Sequence, residues 1–273
     1  MSRRTYWTIR LVVLCVLLVV LLAAIGAGAA AGLLGGGAVL RGEPAAQAEF
    51  SDVTALDIRA GSCSVRATVW DGDTVQVAYY APGLLRTGEP EMTQAGATLS
   101  VSAPAASGIF SLLGGRLELR LPAGLAADCT IRSGSGSVDW DAPMGDGTVE
   151  VGSGSVKVRR GGDSLTVTTG AGSVKVYTPF RSLTVDSGTG SVKAVAGPES
   201  RTVSVTADTG SVKLALEGVT GYTWRHTAGV GSVKDEYRDW KAEDDGETVW
   251  GDGSLAIVTD CGTGSTKLTD WND

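Results

Sequence analysis

Between Cys129 and Leu214 the apolar and polar positions follow one short recurring pattern. In Leu165-Thr166-Val167-Thr168 apolar and polar residues alternate, and they alternate again in Val174-Lys175-Val176. A period of two predicts a strand that buries one face. The two runs are out of phase across Thr169-Gly170-Ala171-Gly172-Ser173, where glycine permits a tight corner. The opposite corner is looser: Arg159-Arg160-Gly161-Gly162-Asp163-Ser164 in one copy and Thr178-Pro179-Phe180-Arg181-Ser182 in the next.

The unit then repeats. Gly136-Ser137-Val138 returns as Gly154-Ser155-Val156, Gly172-Ser173-Val174 and Gly190-Ser191-Val192 in steps of 18 residues, then as Gly210-Ser211-Val212 after 20. The register continues at Gly231-Ser232-Val233 and Gly264-Ser265-Thr266, and an upstream copy runs from Leu56-Asp57-Ile58 through Gly61 to Arg66. A fixed short period marks stacked units, none of which can bury its apolar face alone. The expected fold class is therefore all-β: a single-stranded parallel β-helix (a β-solenoid of ~18-residue coils, wound right-handed) with coils ~4.8 Å apart. The inward pairs of successive coils are Cys129 and Ile131, Leu165 and Val167, Leu183 and Val185, Val203 and Val205, Trp224 and His226, and Ile257 and Thr259.

The amino-terminal segment follows a different pattern. Arg3, Arg4 and Arg10 precede an uncharged run from Leu11 to Leu40, which Arg41 and Glu43 end. Such a run is long enough to span a bilayer, which takes ~20 residues. Positive charge before it places the amino terminus in the cytoplasm and the rest outside. A cleaved signal peptide is the alternative, because Ala46-Gln47-Ala48 resembles a cleavage site. The expected layout is a cytoplasmic terminus (1–10), a transmembrane anchor or signal sequence (11–40) and a linker (41–49). A first coil with capping hairpins (50–128), a regular solenoid (129–234), an acidic insert (235–253) and a last coil with cap (254–273) follow. Within this layout, residues 68–125 read as excursions covering the first coil, and Leu268-Thr269-Asp270-Trp271 reads as the cap of the far end.

Composition narrows the function. The 39 glycines are periodic, so they read as corners and not as disorder. A net charge of −7 argues against a general nucleic-acid binder. Beyond the uncharged run, which holds Cys15, the cysteines are Cys63, Cys129 and Cys261, odd in number; they read as small apolar fillers, or as one bridge and a free thiol. The one histidine, His226, reads as structural, beside Trp224. There is no HExxH, CxxC, P-loop or GxSxG pattern, so no catalytic, cofactor or metal residue is assigned. Asp71-Gly72-Asp73 and Asp244-Asp245-Gly246 lack full calcium-loop spacing and read as turns. Glu150 and Asp186 fall two coils apart in one outward column, ~9.6 Å by strand spacing, which is near the limit of an inverting glycosidase pair.

The most regular outward column carries Lys157, Lys175, Lys193, Lys213 and Lys234, with Asp139 before it and Lys267 after the insert. Two readings stand: charge that keeps a flat sheet soluble, or a ladder for an anionic polymer of the cell wall or surface.

The run Leu117-Glu118-Leu119-Arg120-Leu121-Pro122-Ala123-Gly124 followed by Gly-Ser-Val-Lys coils resembles a family of bacterial envelope proteins. These are the "putative adhesins" with β-strand repeats, a domain-of-unknown-function class. The resemblance implies a β-helical extracytoplasmic domain behind a single-pass membrane anchor, with no catalytic residues to carry over. The expected role is non-catalytic adhesion, scaffolding or ligand display at the cell membrane. An enzyme acting on polysaccharide, or a sensor domain for a membrane partner, is the alternative. The oligomeric state stays open.

Overall fold

Alternating β-branched and polar residues make strands throughout, and no helix occurs among the described residues. The computed structural model describes residues 44–81, 88–104, 114–238, 240–241 and 246–271. The expected transmembrane run at 11–40 and the Asp244-Asp245 turn lie outside them. No helix of the described residues is long and apolar enough to cross a membrane.

The amino-terminal third contains β1 (Ala46–Phe50), β2 (Ala55–Gly61), β3 (Ser64–Trp70), β4 (Val75–Tyr80), β5 (Glu91–Ala95), β6 (Thr98–Ser102) and β7 (Arg116–Pro122). The repeats supply β8 (Ala127–Ser133), β9 (Val138–Asp141), β10 (Met144–Ser153), β11 (Val156–Val158), β12 (Ser164–Ala171), β13 (Val174–Val176), β14 (Ser182–Thr189) and β15 (Val192–Ala196). In the last third the two strands of a repeat run together, giving β16 (Thr202–Leu216), β17 (Tyr222–Asp235) and β20 (Leu255–Asp270). Two short strands, β18 (Trp240–Lys241) and β19 (Gly246–Trp250), lie between β17 and β20. All join one sheet.

Successive repeats pair in parallel and in register. Val149 lies beside Val167, and Val167 beside Val185. On the other strand of each repeat, Val156 lies beside Val174 and Val174 beside Val192. The inward residues expected from the alternation are buried: Ile131, Val167, Val205 and Trp224 are all 0% exposed. They join one apolar cluster that runs through the repeats.

The corners close on glycine for a steric reason. Gly190 has φ +147°, and a Cβ built on it would lie 1.6 Å from the Gly172 carbonyl oxygen. The corner at Gly190 therefore rests directly on the backbone of the rung before it, and glycine recurs at this position in each copy from Gly136 onward.

Both ends depart from chain order. At the carboxyl end, β20 pairs with β16 on one side and with β17 on the other. The last strand in sequence is thus the penultimate rung, and β17 is the outermost. This corrects the expectation that the final coil caps the far end. The reason is visible in the side chains: β17 brings Tyr222 and Trp224, which a closing rung needs and β20 lacks. Trp250 of β19 packs 5.5 Å from Tyr222 and 5.4 Å from Tyr237, ring to ring. Asp235, fully buried, accepts hydrogen bonds from the Tyr222 hydroxyl and from Arg238 Nε.

The amino end mirrors this arrangement. Here β2 lies between β6 and β8, and β3 between β7 and β9. Residues 98–102 and 116–122 therefore form a further parallel rung outside the first copy, where excursions or hairpins covering it were expected. Antiparallel β1, β4 and β5 finish this end. Among the described residues nine rungs stack, where the repeats alone suggest about eight.

Among the described residues the three cysteines, Cys63, Cys129 and Cys261, are free and buried. Cys129 occupies the position of Leu56 and Gly147 in neighbouring rungs, and Cys261 that of Ala207 and Ala228, so both serve as small fillers. Burial raises the pKa of all three thiols and of the Tyr79 and Tyr222 hydroxyls. A raised pKa favours the protonated form in the folded state. The stability it carries is whole below the unfolded pKa, ~8.5 for Cys and ~10 for Tyr, and is lost as pH rises beyond it. The melting temperature should accordingly fall above about pH 9. Mass spectrometry after alkylation at that pH should find Cys63, Cys129 and Cys261 modified only once the chain is denatured. Rapid modification of any of them in the native protein would contradict the filler role.

Candidate anion-binding face

In β11 and β13 each lysine sits between two buried valines, so the pleat points it outward. In-register pairing then lines the lysines up. Lys157 lies beside Lys175, Lys175 beside Lys193, and Lys193 beside Lys213. Lys213 is followed by Lys267, and Lys267 by Lys234. The ladder thus holds six lysines, with Lys267 inside it and not beyond Lys234. Its start is marked by Asp139, next to Lys157.

These lysines stand on strands paired on both sides, ~4.8 Å apart. That spacing is well inside a Debye length of ~8 Å, so the column repels itself. Among the described residues, Lys267 has an ion pair: its Nζ lies 2.8 Å from Glu236 Oε1. The hydrogen bond from Lys267, with the charges of Lys234 and Lys213 behind it, holds the Glu236 carboxyl below its ordinary pKa. The carboxyl end of the ladder is therefore already occupied by a carboxylate of the chain itself.

A second outward column runs beside the lysines and passes through Arg159, Tyr177, Val195 and Ala215. Val195 breaks the alternation, because it faces outward yet is only 4% exposed. It lies beside Ala215, and the two floor a groove of about 230 Å³. Lys175, Lys193 and Lys213 line one side of the groove, and Tyr177, Asp270 and Trp271 also border it. Tyr177 and Trp271 are each 42% exposed. Trp271 reaches this place because β20 is inserted beside β16, and its amide donates to the Leu216 carbonyl at 3.2 Å. The Arg159 guanidinium lies 5.5 Å from the Tyr177 ring and pairs with Asp139 at 3.0 Å.

The other sequence candidates are placed as follows. Glu150 and Asp186 do stand two rungs apart, with Thr168 between them. Arg132 Nε holds Glu150 Oε2 at 3.1 Å, so that carboxylate is committed to an ion pair. His226 is 4% exposed, its ring 4.6 Å from that of Trp224. Asp71 and Asp73 flank Gly72 in the bend between β3 and β4, where a Cβ on Gly72 would strike the Trp70 ring. Tyr177, Val195 and Trp271 were not among the expected site residues. A signal existed for the first two: Tyr177, Val195 and Ala215 interrupt a column that otherwise carries the polar residues Asp141, Arg159, Thr269 and Glu236.

No protein-family model matches this chain, and no curated protein does. Among solved structures it is similar to a "putative cell adhesion protein" from Clostridium sporogenes ATCC 15579, at 14% identity and a TM-score of 0.39. That match covers 84% of this chain and 100% of the other. A "putative adhesin" from Bacteroides fragilis NCTC 9343 matches at 15% identity and a TM-score of 0.48, covering 82% of this chain and 96% of the other.

Proposed function

We propose that this protein is a non-catalytic envelope-surface domain, a right-handed parallel β-solenoid held outside the cytoplasm by its amino-terminal segment. We propose further that its lysine face holds an anionic polymer of the cell wall or surface. The observation that carries this is the unbroken register of Lys157, Lys175, Lys193, Lys213, Lys267 and Lys234. Edge protection does not account for it, because all of these lysines but Lys234 stand on strands with parallel partners on both sides. A net charge of −7 makes a wall of like positive charge a departure from the rest of the molecule. An anionic chain laid along it relieves the self-repulsion, as Glu236 does at one end. The uncharged run at 11–40 supports the anchor, and the commitment of Glu150 to Arg132 weighs against the glycosidase alternative.

The test uses the full chain in detergent micelles, titrated with polygalacturonate and with poly-L-glutamate. Both should bind more weakly as salt rises. Replacing Lys157, Lys175, Lys193 and Lys213 with Gln should weaken both by at least about tenfold, each lost charge contact being worth ~0.5–1 kcal/mol. The melting temperature should hold or rise. A wild-type chain that binds neither polymer at low salt would leave the ladder a solubility device.

A further inference from the structure

We propose that the groove beside the ladder seats a sugar ring, so that the polymer held there is an acidic polysaccharide carrying a carboxylate on its rings. This rests on the anionic-polymer reading above and deepens it. A polyphosphate or polypeptide anion would engage the lysines and leave the rest of the groove idle. The rest of the groove is built differently from a charged wall.

Its floor is apolar, formed by Val195 and Ala215. Two exposed aromatic side chains, Tyr177 and Trp271, border it just past the ends of β13 and β20. Aromatic faces pack on the C–H faces of a pyranose ring, and each exposed ring gains by being covered. Lys175, Lys193 and Lys213 line the same groove and supply the partners for a carboxylate. Asp270 lines the groove as well. An anionic group avoids that carboxylate, but a hydroxyl donates to it, and a sugar ring carries both kinds of group. At about 230 Å³ the groove is below the ~300 Å³ at which sites for drug-sized ligands begin, which suits one ring. One sugar of an extended chain also advances by a distance comparable to the ~4.8 Å rung spacing, so charge can recur at successive lysines. The chain already shows the pairing in small: Glu236 places a carboxylate on Lys267, the rung next to Lys213.

The experiment again compares polygalacturonate with poly-L-glutamate on the full chain in micelles, now with Trp271→Ala and Tyr177→Leu. The two residues lie on different rungs, and the Trp271 backbone contact to Leu216 does not depend on its side chain. Each variant should weaken polygalacturonate about tenfold while leaving poly-L-glutamate within twofold of wild type. If both variants affect the two polymers equally, or neither, the sugar seat is wrong and the ladder reading stands. If the wild-type chain binds neither polymer, the ladder reading itself has failed and takes the sugar seat with it.

Discussion

Gly190→Ala should lose on the order of 4 kcal/mol, enough to unfold a domain whose whole stability is of order 5–15 kcal/mol. Two effects add. An L-residue is forced to φ +147°, a strain of about 1–3 kcal/mol. The new Cβ also lies 1.6 Å from the Gly172 carbonyl oxygen, a backbone atom that cannot swing aside. Relieving that clash means prying two rungs apart, and overpacking of this kind costs about 1–3 kcal/mol or more. Gly218→Ala is the control. Gly218 has φ +62° but nothing within 4 Å of a built Cβ. It should lose only the left-handed backbone penalty, about 1–2 kcal/mol. Denaturant melts of the two variants separate the effects, and equal losses would show that rung stacking does not limit the corner.

Val174→Asp is expected to be comparably severe. Val174 is 0% exposed, between Val156 and Val192 on the adjoining rungs. Among the described residues no lysine or arginine is buried, so the carboxyl is buried without such a partner, at several kcal/mol, about 4. Lys175→Asp, one residue along, points outward and should change stability by less than about 1 kcal/mol. It also replaces two repulsions in the ladder, to Lys157 and to Lys193, with two attractions. Circular-dichroism melts of the pair test the register directly, since a slip by one residue would exchange the two outcomes.

The interior of the stack was legible in the sequence because two constraints repeat within it. The corner position is glycine in each copy from Gly136 onward, and the positions of Leu165 and Val167 are non-polar in most rungs, with Thr259 and His226 the exceptions at the second. Together they expose an 18-residue period and tell inward from outward. The order of rungs at the ends was not legible. Gly264-Ser265 pairs equally well with Gly210-Ser211 and with Gly231-Ser232, as the structure shows by using both. Local pattern does not choose between the two orders. The choice rests on which rung can close the end, a matter of Tyr222, Tyr237 and Trp250 meeting in space. The lysine column was visible from its spacing, apart from the place of Lys267. The groove was not, because Trp271 arrives beside Lys213 only once β20 is inserted next to β16.

That insertion also sets a clock on assembly. As the chain is made, β17 appears before the rung on which it must rest. Until Leu255–Asp270 follows, β16 presents a bare edge, and the aromatic lid has nothing beneath it. Ser211 waits for Ser265, 54 residues later. Pairing at such separation is slow, and an open parallel edge is prone to wrong partners while it waits. A nascent chain can grow rung by rung through most of its length, yet it cannot shut until its last sixteen-residue strand slides between two others. Leu255–Asp270 thereby acts as a completion signal: a molecule that lacks it leaves the edge of β16 bare, and one that has it covers that edge.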